Sequence, residues 1–367
     1  MAEWVFQYSN LDGCKPSEVA APHGDSNMTE AMQAIVFHGP GHWALEDFPR
    51  PQIQAGDDVL LRVDRVSICG TDIHILSDPP GHPATAGSIL GHEYVATVTD
   101  IGDSVINVKP GDRVVVDPNI TCGLCEYCRM GLTNVCENMT SLGIFRHGGL
   151  AEFNVAPAKA LHKISQNVPT ERACLAEPLA CVWHAFEKTN VVPGESVAIL
   201  GAGPIGLLFL MLFKSAGAGK VLVIEPTEFR RQTAERLGAD SVINPKTEDA
   251  AAEVKALTRI GVDVAVDAAG SLLPEALNLV RRGGRVILFG VNQHAERSLN
   301  QYAITRYEAS VLGSYIQRTA FPKVVRILEA GLLPVEKLIT HRLRLNQVGE
   351  ALEAMRVGEA IKAIVEP

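Results

Sequence analysis

The longest uncharged apolar stretch of the chain, VAILGAGPIGLLFLMLF at 197–213, constrains its fold more than any other segment. Its length approaches the ~18–20 residues that cross a bilayer. Gly201, Gly203, Pro204 and Gly206 interrupt it, however, and divide it into a short strand, a tight turn and the start of a helix. The reading is a buried strand–turn–helix in a protein that makes no membrane contact.

The surroundings extend that reading. After about residue 180, the segments VLVIE (221–225), SVIN (241–244), VDVAVDAAG (262–270), GRVILFG (284–290) and SVLGS (310–314) are short and apolar, without polar alternation. Helical stretches such as EFRRQTAERLGA and LLPEALNLVRRGG separate them. That alternation predicts an α/β fold with a doubly wound parallel sheet covered on both faces. Before it, from about 32 to 160, lie β-branched, partly alternating runs: AIVF (34–37), DVLLRVDRVSIC (58–69), VATVTDIG (95–102) and DRVVVDP (112–118), punctuated by turns such as KPGD. They predict an irregular, barrel-like β domain. The tail after about 319 reads helix, turn, helix, strand. It is short for a domain of its own and is expected to pack back on the first one.

Within the apolar stretch, Gly201-Ala202-Gly203-Pro204-Ile205-Gly206 matches G-x-G-x-x-G between a strand and a helix. Gly201 permits the tight turn, Gly203 lets a pyrophosphate approach the backbone, and Gly206 lets helix and strand pack closely. The helix N-terminus then offers free N–H groups to the phosphates. Glu225 ends the next strand and can accept hydrogen bonds from the ribose hydroxyls, which favours NAD. NADP stays open, because Arg230 and Arg231 follow and can turn toward a 2′-phosphate as well as open an ordinary helix.

Lys and Arg number 33 against 42 Asp and Glu, a formal charge of −9. Such a surface attracts neither nucleic acid nor an anionic membrane. The N-terminal residues show no basic and then apolar signal pattern, so a cytoplasmic setting is expected, with residues 1–31 as an extension without assigned function. Without secretion, clustered cysteines read as metal ligands rather than disulfides. Cys122, Cys125, Cys128 and Cys136 have the spacing C-x2-C-x2-C-x7-C. Four thiolates leave no open position, so the expected occupant is a structural Zn2+. The bacterial ferredoxin run closes with x3-C-P instead, which argues against an iron–sulfur cluster.

A second constellation lies in CGTDIH (69–74), GHE (91–93) and AEPL (176–179). Together these segments offer a thiolate, an imidazole and carboxylates, the mixture a catalytic zinc with an open position uses. In order along the chain, CGTDIH, GHEYVATVTDIGDSV, the four-cysteine lobe, AEPLACVWHA and VAILGAGPIG resemble the zinc-dependent medium-chain dehydrogenase/reductases. This is the alcohol and polyol dehydrogenase family, and the likeness is to its sorbitol dehydrogenase type, from about residue 32 to 367.

The resemblance implies that Cys69, His92 and Glu177 hold a catalytic zinc, with Glu93 beside it as an exchangeable ligand. Asp72 would orient the ligand histidine, Thr71 would hydrogen-bond the substrate hydroxyl, and His74 would carry protons toward solvent. It also implies a GroES-like catalytic domain split into 32–179 and 319–367, with its zinc lobe near 120–137, around a Rossmann domain at 180–318. One position departs from the pattern: Ala96 stands where glycine is usual.

The activity implied is hydride transfer between the carbinol carbon of a sugar, polyol or secondary alcohol and NAD(P), with two zinc ions per subunit. The partners implied are a small-molecule alcohol or ketone and further copies of the chain, as a homodimer or homotetramer. SVLGSYI (310–316) is a candidate edge strand for that pairing. A threonine dehydrogenase-like oxidation and a non-catalytic nucleotide sensor on the same scaffold are the alternatives.

Overall fold

The structure is a computed structural model and describes residues 30–367. The expected N-terminal extension, and Cys14 with it, lies outside the described residues apart from Glu30 and Ala31. Ala31 opens the strand Ala31–Gly39, which pairs antiparallel with His42–Pro49.

The strand Asp58–Ser67 organises the first half. It buries Val59, Leu61 and Val63 and turns Arg62 to solvent, the alternation of a half-buried strand. Glu93–Ile101 and Phe153–Pro157 pair with it, and Arg113–Val116 and Leu161–Lys163 extend the sheet on one side. Its register slips between Leu60 and Leu61 and between Val63 and Arg65, and such bulges let a sheet bend. Ala96 is fully buried in this sheet opposite Val63 and Val114. The sheet is completed from the far end of the sequence: Lys362–Glu366 pairs with Asp58–Ser67, and Ile339–Arg344 pairs with Lys362–Glu366.

The second half is a six-stranded, all-parallel sheet. Its order is Ser241–Ile243, Lys220–Ile224, Ser196–Leu200, Val262–Asp267, Val280–Leu288, Ser310–Gly313. In chain order this is 3-2-1-4-5-6, the doubly wound arrangement whose ligand crevice opens where the order reverses, beside Ser196–Leu200. The apolar run is explained by burial on every side. In the helix Pro204–Ser215 every residue from Gly206 to Phe213 is buried, partly against Ala176–Thr189. Among the described residues no helix is long and apolar enough to cross a membrane.

Two local readings differ from the structure. Pro204 and Gly206, read above as interruptions of the apolar run, lie inside the helix, which begins at Pro204 because proline's fixed φ suits the first helical position. The stretch VRRGG, read above as the end of a helix, belongs instead to the strand Val280–Leu288. Val280 pairs with Val262, and Arg281 is drawn into the sheet by its 2.6 Å ion pair with Asp263.

Between the two sheets, the segment after Gly313 is tied to the four-cysteine lobe. Gln317 Nε2 donates to Asp117 Oδ2 at 2.5 Å and Asn134 Nδ2 to the Tyr315 carbonyl at 3.0 Å. Burial pushes the Asp117 carboxyl up to about 7, against the opposing hydrogen bonds from Asn119 and Gln317. The folded state then binds a proton that the unfolded chain releases near pH ~4. Stability should therefore fall as pH rises from about 4 to about 7, by a few kcal/mol at most. Asp117→Asn should flatten that slope and gain on the wild type above neutrality. Unfolding curves at acidic and alkaline pH test this, and a gap between the two proteins that does not change with pH would refute it.

Candidate functional site

The strand Asp58–Ser67 ends next to Cys69, which caps the short helix Gly70–Ile75. The Cys69 amide donates to Asp72 Oδ2 at 2.8 Å, fixing the turn that aims the thiol inward. His92 and Glu93 arrive from the start of the neighbouring strand, both buried. Cys69, His92 and Glu93 bring one donor atom each to within 4.8 Å of one another. Asp72, fully buried, places Oδ1 3.5 Å from His92 Nδ1, and neither atom has any hydrogen-bond partner. A carboxylate behind a ring nitrogen is how metal-ligating histidines are oriented.

Burial alone would lower the His92 imidazolium, but the Asp72 carboxylate and the Cys69 thiolate outweigh it and hold His92 well above an ordinary histidine. The site attracts positive charge, and its soft and hard donors suit Zn2+.

Glu177 is also buried, in the first turn of Ala176–Thr189, but falls outside that three-residue donor group. Burial and the nearby Glu93 carboxylate push its carboxyl up to about 7, opposed by His92. It therefore shares the electrostatic environment of the other three. Cys181, one turn further on, donates its thiol to Glu177 Oε1 at 3.3 Å. Thr71 Oγ1 lies 3.6 Å from Cys69 Sγ. His74 is exposed at the end of the same helix and packs on Gly81, where a Cβ would come within 3.1 Å of its Nδ1.

Three further residues at this site went unread in the sequence. His82 is lowered by burial, partly opposed by its 2.8 Å contact with the Pro83 carbonyl, and feels the charges of His92 and His74. Ser67 Oγ donates to Glu93 Oε2, and Lys362 Nζ pairs with that same oxygen. The available signal for Lys362 was a lysine in the otherwise apolar strand start KAIV.

The four-cysteine lobe hangs from the small hairpin Asn119–Ile120 with Thr140–Ser141. All four sulfurs lie within 4.8 Å of one another; Cys136 is 3.5 Å from Cys122 and 3.9 Å from Cys125. A Zn–S tetrahedron has sulfur–sulfur edges of about 3.8 Å, so the cage matches a zinc ion. The amides of Leu124 and Cys125 pull the Cys122 thiol down to about 6, and the Cys128 amide lowers Cys125. Burial instead pushes Cys128 up to about 12 and raises Cys136. The Cys122 thiol is thus prepared as a thiolate and Cys125 is shifted the same way, whereas Cys128 and Cys136 need the cation to ionise.

In the parallel sheet each turn glycine has its own constraint. Gly201 sits at φ +102°. A Cβ on Gly203 would meet nothing within 4 Å, whereas one on Gly206 would lie 1.9 Å from the Gly201 carbonyl oxygen. Gly203 caps Pro204–Ser215 with no side-chain hydrogen bond, leaving the helix N-terminus free for an anion. Pro204 and Ile205 form its first turn. Glu225 is buried, accepting from the Ala202 amide at 2.7 Å and the Thr227 amide at 2.8 Å. Arg231 donates to the Glu225 and Pro226 carbonyls, while Arg230 Nε is buried without a partner. The cradle fits a dinucleotide.

Comparison with known proteins agrees with this geometry. Residues 55–166 match the family model of the alcohol dehydrogenase GroES-like domain, and residues 204–330 match that of the zinc-binding dehydrogenases. The sorbitol dehydrogenase of Bacillus subtilis (strain 168) is 33% identical, over 92% of this chain and 97% of its own. The L-threonine 3-dehydrogenase of Pyrococcus horikoshii is 36% identical, over 92% and 99%. A crystal structure described as a zinc-binding dehydrogenase from Sinorhizobium meliloti 1021, bound to NADP, superposes with a TM-score of 0.87 at 31% identity, covering 92% and 100% of the two chains. A GroES-like unit and a zinc-binding dehydrogenase unit, with two groups of donors that could each hold a metal ion, run through one polypeptide: the chain belongs to the zinc-dependent medium-chain alcohol and polyol dehydrogenases.

Proposed function

We propose that this chain interconverts a polyol or secondary alcohol with its ketone, with NAD as the preferred hydride acceptor. The observation that carries the reading is the donor group of half-buried Cys69 with buried His92 and Glu93, and Asp72 behind His92. Cys69, His92 and Glu177 would hold the catalytic zinc, with Glu93 beside them, and the four lobe cysteines the structural one. When bound, the zinc supplies Lewis acidity to the substrate oxygen and the nicotinamide takes up the hydride. Thr71 Oγ1 would accept the hydrogen bond of the substrate hydroxyl and give up its own hydrogen as that proton arrives, and the exposed His74 would release a proton to water. Asp72 keeps the His92 ring oriented. Gly203 admits the pyrophosphate to the uncapped helix, and the Glu225 carboxylate, held by two amides, repels a 2′-phosphate. Arg230, with its unpaired Nε, is the group that would favour NADP.

The finer organisation belongs to the same reading. A catalytic domain at 32–179 and 319–367, enclosing a dinucleotide domain at 180–318, is supported by the return of Ile339–Arg344 and Lys362–Glu366 to the first sheet. Assembly as a homodimer or homotetramer is supported by the open edge at Ser310–Gly313 and by exposed Leu124, Tyr127, Met130 and Val135 on the zinc lobe. A cytoplasmic setting suits thiolate ligands that must stay reduced.

The likeness to L-threonine 3-dehydrogenase supports a second substrate class, a hydroxyl beside an amine. Turnover of sorbitol, shorter polyols, secondary alcohols and L-threonine, each with NAD and NADP, separates the two. Polyols or secondary alcohols should give the highest kcat/KM, with NAD ahead of NADP. Threonine as the best substrate would replace the first reading with the second, and cofactor binding without turnover of any alcohol would overturn both.

A further inference from the structure

We infer that Lys362 is a positioning residue that holds Glu93 off the catalytic cation and so keeps the substrate's coordination position open. The inference rests on the reading above of Cys69, His92 and Glu177 as the zinc's holders.

Lys362 is 3% exposed and Glu93 1%, so this ion pair is sealed from water. The ammonium spans two of the three chain stretches that bring the ligands together. One hydrogen bond goes to the Ile68 carbonyl at 2.9 Å, one residue before Cys69, and the other to Glu93 Oε2, one residue after His92. Ser67 Oγ donates to the same oxygen. Glu93 is nonetheless near enough for a carboxylate oxygen to sit within 4.8 Å of the Cys69 and His92 donors. The carboxylate is thus within reach of the cation and tethered from behind. A thiolate and two carboxylates around a dication leave one negative charge uncompensated, and Lys362 supplies the balance. Without it, Glu93 would be a buried anion whose nearest positive charge is the metal, and burial makes an unpaired anion costly. It would turn onto the cation and fill the position the substrate needs.

The test uses the full-length enzyme with Co2+ exchanged into the catalytic site, reading both ligand-field absorption and steady-state kinetics. Lys362→Met should weaken and shift the bands as Glu93 joins the coordination sphere. It should also lower kcat by ~10-fold or more, with a smaller change in KM. Lys362→Arg should keep the wild-type bands. The double variant Lys362→Met/Glu93→Gln should recover both the bands and most of kcat, because the carboxylate that moves is gone.

Unmoved bands and kcat within about twofold in Lys362→Met overturn the inference, and so does a double variant as impaired as the single one. Glu93→Gln alone decides the matter if Lys362→Met does not fold: unchanged bands agree with a Glu93 held off the metal, and shifted bands make it a resting ligand and refute the proposal. Wild-type bands that survive Cys69→Ser overturn the metal reading itself, a different failure from an unmoved Lys362→Met.

Discussion

Cys69→Ser is expected to lose the catalytic ion and ~10³-fold or more in kcat, while the four-cysteine ion stays in place. A serine hydroxyl is not ionised at neutral pH, so the substitution removes the site's only soft anionic donor. His92 and Glu177 are left as holders, with Glu93 tethered by Lys362 and Asp72 behind the His92 ring. The lobe is independent of this loss, because its four sulfurs come from 122–136 and close on one another. Metal analysis should therefore fall from two zinc ions per chain to one, with little change in thermal unfolding. A variant that keeps both ions and full turnover would show that the chemistry lies elsewhere.

The second large effect is a contrast between two glycines three residues apart. Gly206→Ala places a methyl 1.9 Å from a backbone carbonyl oxygen, which cannot rotate away as a side chain would. The turn or the helix must shift, at a cost of about 2–4 kcal/mol, and cofactor affinity should fall ~100-fold or more with the displaced amides. Gly203→Ala meets nothing within 4 Å and should fold with an unchanged melting temperature. Its methyl would instead occupy the space the pyrophosphate needs, so cofactor affinity falls without loss of stability. Thermal unfolding and NADH fluorescence titration on both variants check this. Equal stability losses in the two would contradict the separate roles of the glycines.

Legibility in the sequence followed sequence distance. The glycine turn and the cysteine lobe were readable because each is local: 201–206 and 122–136 carry their constraint within one turn or loop. The parallel sheet was readable because its strands are apolar on both faces, as at Val197–Leu200 and Val221–Ile224. The strand at Val280 was not, since RRGG has no strand signal and only Asp263, across the sheet, draws Arg281 in. The Lys362–Glu93 pair was invisible for the same reason at larger scale, its partners being 269 positions apart. The split between Glu93 and Glu177 was also out of reach, because a carboxylate's distance from a shared ion depends on packing that residue types do not encode.

The return of Lys362–Glu366 to the strand Asp58–Ser67 also sets an order of assembly. Closing so long a loop costs about 5 kcal/mol in chain entropy, and prior folding of the intervening parallel sheet recovers only about 0.5 kcal/mol of it. Cys69 and His92 are only 23 positions apart and can meet early. The lysine is therefore expected to dock last, and a late, slow phase in refolding should coincide with the arrival of its charge beside Glu93.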